Sequence, residues 1–185
     1  MLIKSSRLFL VLLFFAAGCS PIQVSQDYTP GTSLNNLRSY AWHDDQQEKT
    51  GDLRIDNPLI DNRIRAAIDD TLAARGYRKT GRDQADFHVA YQYAIRGKVG
   101  ASNVQTSIGF GFGTYGRHGG IGVSTGPDYS SYDEGLLIID ILDAREGSTL
   151  WRGKGTRQVF MHTEPERMTE QVNETVHKIL DQFPP

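Results

Sequence analysis

Residues 135–143 read Gly-Leu-Leu-Ile-Ile-Asp-Ile-Leu-Asp, an almost unbroken apolar run that predicts a central strand of a sheet. A turn over 144–148, with Gly147 inside it, sends the chain back into Thr149–Val159 as the expected hairpin partner. Asp140 is the misfit. A carboxylate within an apolar strand must be hydrogen-bonded, paired or at a sheet edge, and Arg152 on the following strand is an available cross-strand mate. Trp151 beside it is expected to plug the interface between sheet and helix.

One helix is expected before this hairpin in the chain and one after it. Asn57 can cap the first, Pro58 suits its first position, and Gly76 suits the left-handed residue past its end. Ile60, Ile64, Ile68 and Leu72 recur every fourth residue as one buried stripe. The last helix opens at Thr163-Glu164-Pro165-Glu166, which reads as a capping box, and Met168, Val172, Val176, Ile179, Leu180 and Phe183 form its stripe. Ile22, Val24 and Tyr28 give a weak strand signal, and Leu37–Trp42 a second short one. Residues 44–56 lack apolar periodicity and read as a solvated loop. From Ala85 to Tyr93 the pattern alternates, with Phe87, Val89, Tyr91 and Tyr93 on one side of a half-buried strand. The expected fold class is therefore α+β: a two-layer sandwich, mainly antiparallel, with both helices on one face and a glycine-rich hairpin or loop.

The start of the chain follows a different logic. Lys4 and Arg7 precede the apolar run Leu8–Ala17, which is too short to span about 30 Å of hydrocarbon as a helix and reads as a secretory leader. Ala16-Ala17-Gly18 then leads into Cys19, the single cysteine of the 185 residues. Small residues suit a peptidase active site, and the thiol after them supplies a nucleophile for lipid transfer. The segment resembles the lipobox of bacterial lipoproteins, with Ala16 where leucine is usual. That resemblance implies cleavage between Gly18 and Cys19, a diacylglyceryl thioether on Cys19 and acylation of the new amine. Ser20, in the position where aspartate commonly causes inner-membrane retention, implies the periplasmic leaflet of the outer membrane of a Gram-negative cell. The expected organisation is a leader over 1–18, a lipidated tether over 19–21 and one α+β domain over 22–185. With pairing beginning near Val24, about five residues of chain reach only some 15 to 20 Å.

Several landmarks are spread along the mature chain. They are Tyr28, Tyr40-Ala41-Trp42, Asn57-Pro58-Leu59, Gly76-Tyr77, Ala85-Asp86-Phe87, Tyr91, Asp140, Asp143, Trp151-Arg152-Gly153 and Phe183-Pro184-Pro185. Together they resemble the lipoprotein family catalogued as domain of unknown function 4136. The resemblance implies a small α/β domain on a lipid anchor in the bacterial envelope, and it brings no catalytic residues to carry over.

Function classes narrow further on charge and motif. A net charge of −2 gives no polyanion-binding signal, so nucleic acid is not an expected partner. One cysteine closes no internal disulfide, and the histidines at 43, 88, 118, 162 and 177 have no metal-ligand spacing, so no metal or other cofactor is expected. Eight glycines crowd residues 107–126. Gly111-Phe-Gly-Thr-Tyr-Gly116 matches the dinucleotide fingerprint, but Arg117-His-Gly-Gly does not open the helix that would hold a pyrophosphate. Gly122-Val-Ser-Thr-Gly126 matches a nucleophile elbow, and Ser124, Asp140 and His162 follow in hydrolase order, yet Pro127-Asp128 stands where a helix must begin.

Alternation accounts for the segment better. Ile108, Phe110 and Phe112 fall on one side, glycines on the other, and Ile121 and Val123 can pair back across a turn. The segment then either covers the sheet's open face or acts as a flap presenting Phe110, Phe112 and Tyr115 to a partner or to the bilayer. The expectation is a non-enzymatic envelope module whose partners are the membrane and an envelope protein or the cell wall. The alternative is a small serine hydrolase using Ser124, Asp140 and His162.

Overall fold

The apolar run is the inner part of a much longer strand. In the computed structural model, which describes residues 22–43, 49–111, 120–160 and 163–184, with strand pairing alone for 99–111 and 120–131, the elements follow in the order β1 (Gln23–Tyr28), β2 (Ser39–Trp42), α1 (Pro58–Ala74), β3 (Arg78–Lys79), β4 (Phe87–Gly111), β5 (Gly120–Asp143), β6 (Thr149–Val159) and α2 (Pro165–Leu180). The strands form one sheet in the order β1-β6-β5-β4-β2-β3. The fold is mixed α+β, six strands and two helices, consistent with two layers.

Register explains the core. Opposed residues of an antiparallel pair share a face, and the ladder aligns Val89 with Ile141 and Trp151, Tyr91 with Ile139 and Gly153, and Tyr93 with Leu137 and Gly155. Phe87, Val89, Ile139, Ile141 and Trp151 are fully buried, with Ile64, Ile68 and Leu72 of α1 and Val176, Ile179 and Leu180 of α2 in the same cluster. Gly153 and Gly155 make room for α2. A Cβ at Gly153 would lie 2.3 Å from the Trp151 ring and 2.5 Å from Ile179 Cγ2, so only a bare backbone admits both. Phe183 closes this end of the core, its ring centroid 5.2 Å from that of Trp151.

The cap of α1 is as expected: Asn57 Oδ1 accepts from the Leu59 amide at 2.9 Å, and Gly76 takes φ +87° past the helix. The start of α2 departs from expectation. Its N-cap residue is Glu164, which makes no side-chain capping bond, and the Thr163 hydroxyl donates instead to the Phe160 carbonyl at 2.9 Å. Pro165 in the first turn lacks an amide that needs capping, so the threonine is available to tie down the preceding turn. Sequence periodicity also missed β3, two residues long, and the parallel pairing of β2 with both β3 and β4. Among the described residues no helix is long and apolar enough to cross a membrane.

Candidate functional site

The ionisable groups of the packed region are drawn into structural pairs. Asp140, 5% exposed, accepts two bonds from Arg152, Nε to Oδ1 at 2.6 Å and Nη2 to Oδ2 at 2.8 Å. This is the cross-strand pair that the apolar strand required, and its bidentate geometry uses both carboxylate oxygens. On α1, Asp69 accepts from the Tyr40 hydroxyl at 2.8 Å, the Trp42 indole at 3.1 Å and Lys79 at 2.8 Å. About two turns earlier on the same helix, Asp61 accepts from the Tyr91 hydroxyl and from Arg65 at 3.0 Å, and the Arg65 guanidinium lies 4.4 Å from the Trp42 ring centroid. Burial first, then the donated bond to a carboxylate, raises the Tyr40 and Tyr91 phenols far above their ordinary range. These tyrosines are latches between helix and sheet, with no proton to exchange near neutral pH.

Asp86 makes a comparable latch at the start of β2. Its Oδ2 accepts from the Arg38 amide at 2.9 Å and from the Ser39 amide and hydroxyl, both at 2.8 Å. Those bonds, the Arg38 amide first, hold its carboxyl below the usual carboxylate range. Trp151 sends its indole N–H to Gln26 Oε1 at 2.9 Å, which ties β1 to the core as a structural plug rather than a stacking platform. His177 lies exposed on α2 with Nδ1 3.0 Å from Asp181. Among the described residues no group of three His, Cys, Asp or Glu is placed to hold a metal ion.

The surface that stands out lies at one end of the sheet. A groove between α1, α2 and the sheet is lined by Ile60, Met168, Val172, Tyr93 and Leu137, and encloses only about 40 Å³, room for a few waters. Leu53, Leu59 and Phe160 are 88%, 61% and 52% exposed. Leu59 and Phe160 adjoin the lining residues Ile60 and Val159, and Arg54 bonds Asp133 at 2.9 Å, which brings the Leu53 loop to the same end. At this end β6 stops, its last pair being Val159 with Asp133. The β4–β5 ladder continues past it to Gly111 opposite Gly120. Strand β1 also starts here, Gln23 opposite Thr156.

Of the residues singled out from sequence, Gly18, Cys19, Phe112, Tyr115 and His162 lie outside the described residues. Phe110 pairs with Ile121, and Ser124 with Ser107. Ser124 and Asp140 sit on the same strand, β5, sixteen positions apart, which is about 50 Å of extended chain. The structure does not bring them together, and Asp140 is already clamped by Arg152. Ser124 is in mid-strand, where the sharp strand-to-helix turn of a nucleophile elbow is missing. What sequence reading missed is the apolar end: Leu53, Leu59 and Phe160 fall in or beside loops and caps, where no periodicity marks them.

A family model described as domain of unknown function (DUF4136) matches residues 24–185. No curated protein matches the chain. Among solved structures, a PDZ domain protein from Parabacteroides distasonis is similar at 13% identity and a TM-score of 0.54, over 97% of this chain and 40% of that one. This chain thus spans well under two thirds of that protein, and the likeness is one of fold. The PelC dodecamer from Paraburkholderia phytofirmans aligns at 14% identity and a TM-score of 0.44, over 86% of this chain and 95% of that one.

Proposed function

The chain belongs to the DUF4136 family, and from that premise we propose that it is a lipid-anchored, non-enzymatic envelope module. It is held by Cys19 in the periplasmic leaflet of the outer membrane and works by binding through the β4–β5 hairpin. In this reading both helices cover one face of the sheet, and the glycine-rich end of the hairpin presents Phe110, Phe112 and Tyr115. The observation that carries it is a matter of place. β1 begins at Gln23, opposite Thr156 and three positions from the end of β6, the end where the β4–β5 ladder runs on alone. A lipid on Cys19 would therefore hold the base of the hairpin, with Leu53, Leu59 and Phe160, within a short tether's reach of the headgroups. Internal pairing of Asp140 with Arg152, and the tyrosine hydroxyls that donate to Asp61 and Asp69, support a binding role over acid–base chemistry.

Fractionation of cells carrying Cys19→Ser tests the anchor, with loss from the outer membrane expected; retention there would refute it. A serine-directed probe on the intact chain tests the rest. No labelling is expected, and stoichiometric labelling of Ser124 would replace the binding reading with a hydrolase.

A further inference from the structure

We propose that the part of the β4–β5 hairpin beyond β6 is a membrane-entering arm, and that the arms of several copies pair side by side to close a β-barrel in the bilayer. This rests on the lipid-anchor reading and deepens it. Four observations converge on it.

The first is the distribution of residue types across the ladder's two faces. Register places Val99, Ala101, Thr106, Ile108 and Phe110 of β4 on one face with Ser131, Tyr129, Thr125, Val123 and Ile121 of β5. The other face takes Gly100, Ser102, Gln105, Ser107, Gly109 and Gly111 with Ser130, Asp128, Gly126, Ser124, Gly122 and Gly120. The register shift between Ser102 and Gln105 adds one residue to β4, and it keeps the two sets in phase through the bulge. One face is thus mainly apolar, with Thr106, Thr125 and Ser131 the polar residues on it, and the other is small and polar. That period-two division is the signature of strands with lipid on one side and a lumen on the other.

Charge and length agree. From Val99 to Gly116 and from Gly119 to Pro127 the sequence has no Asp, Glu, Lys, Arg or His. The acid that follows, Asp128, is on the polar face. Thirteen residues of β4 run from Val99 to Gly111, more than the roughly 9 to 11 that a tilted strand needs to cross hydrocarbon. Tyr129 near the base and Phe110 near the far end occupy the apolar face at the two levels where aromatic girdles form.

The third observation is the unpaired edges. Among the described residues, no third strand joins β4 or β5 beyond Gly97 and Asp133. Hydrocarbon offers no partner for exposed amides and carbonyls, so a two-stranded ladder enters it only when its edges meet other strands. Further copies of the same arm supply them. The fourth observation is the shared end: β1 begins at the end of the sheet from which the arm runs on, so an anchor on Cys19 would deliver the arm to the surface it enters.

The test uses the mature chain extracted with its lipid and returned to vesicles of phosphatidylethanolamine and phosphatidylglycerol. Single substitutions Ile108→Cys, Val123→Cys, Ser107→Cys and Ser124→Cys carry an environment-sensitive fluorophore, and matched circular dichroism melts verify that each variant is folded. Brominated acyl chains are expected to quench the label at 108 and 123 and to leave it bright at 107 and 124, with crosslinking giving multimers. Val123→Asp is expected to abolish the quenching at 108, whereas Ser124→Asp preserves it. Absence of quenching at all four sites, on chain that still floats with the vesicles, overturns the arm proposal in favour of a protein partner and leaves the anchor standing. Equal quenching at all four, or monomers alone on crosslinking, also overturns it. Failure to float overturns both readings.

Discussion

β4 and β5 are each one continuous strand, yet their two halves live by different rules. Below Gly97 and Asp133, the ladder carries Val89, Tyr91, Ile139 and Ile141 into a core shared with residues of both helices. Beyond that level the same two strands pair with each other alone among the described residues, and glycine and serine replace the large residues of one face. Backbone pairing is the same in both halves, so it is neither half's distinguishing feature. What differs is the surroundings: among the described residues the inner half is covered by helices and flanked by further strands, whereas no third strand joins the outer half.

That contrast can be broken from the inner side first. Trp151→Ala in the unlipidated domain should cost about 3–5 kcal/mol in denaturant unfolding, because it removes the ring that Phe183 and Ile179 pack on and orphans the Gln26 contact. Next comes Gly153→Val, expected to cost about 1–3 kcal/mol, since its first added carbon already collides with Trp151 and Ile179. Arg152→Met should cost a similar or slightly smaller amount, about 1–3 kcal/mol, by leaving the buried Asp140 carboxylate without its bidentate donor.

Asp86→Ala is a smaller perturbation, about 1 kcal/mol at neutral pH, and its pH dependence is diagnostic. Its folded-state pKa lies below the unfolded one, so its stabilisation is fully present above the ordinary carboxylate range and fades as pH falls through the lowered value. Wild type and variant should therefore converge in acid. A constant difference across the titration would mean that the charge does not matter. The smallest effects belong to the arm: Ile108→Ala and Val123→Ala should move unfolding of the membrane-free domain by no more than about 0.5 kcal/mol. A core-sized loss would erase the distinction between the two halves.

Both helices, the β5–β6 hairpin and the Asp140–Arg152 pair were legible in the sequence because each has a local cause: a four-residue stripe, a glycine turn, or a charge stranded in an apolar run. The capping box at Thr163 misled because the helix begins one residue later, with Glu164 at the N-cap, and the threonine hydroxyl bonds the preceding turn. β3 is too short to have a period, and the parallel partners of β2 are set by where α1 returns the chain, which no local pattern records. Ser124 and Asp140 looked like partners because order along the chain carries no distance; placed on one strand, they are held apart. The apolar end stayed hidden for the same reason: Leu53, Leu59 and Phe160 are far apart in the chain and are exposed at one end only after folding.

Intact mass analysis of the N-terminal peptide from membrane-extracted protein bears most directly on the central claim of attachment through Cys19. The account predicts a peptide that begins at Cys19 and carries a diacylglyceryl thioether and an amide-linked acyl chain. A free thiol at Cys19, or a chain beginning anywhere else, would contradict it.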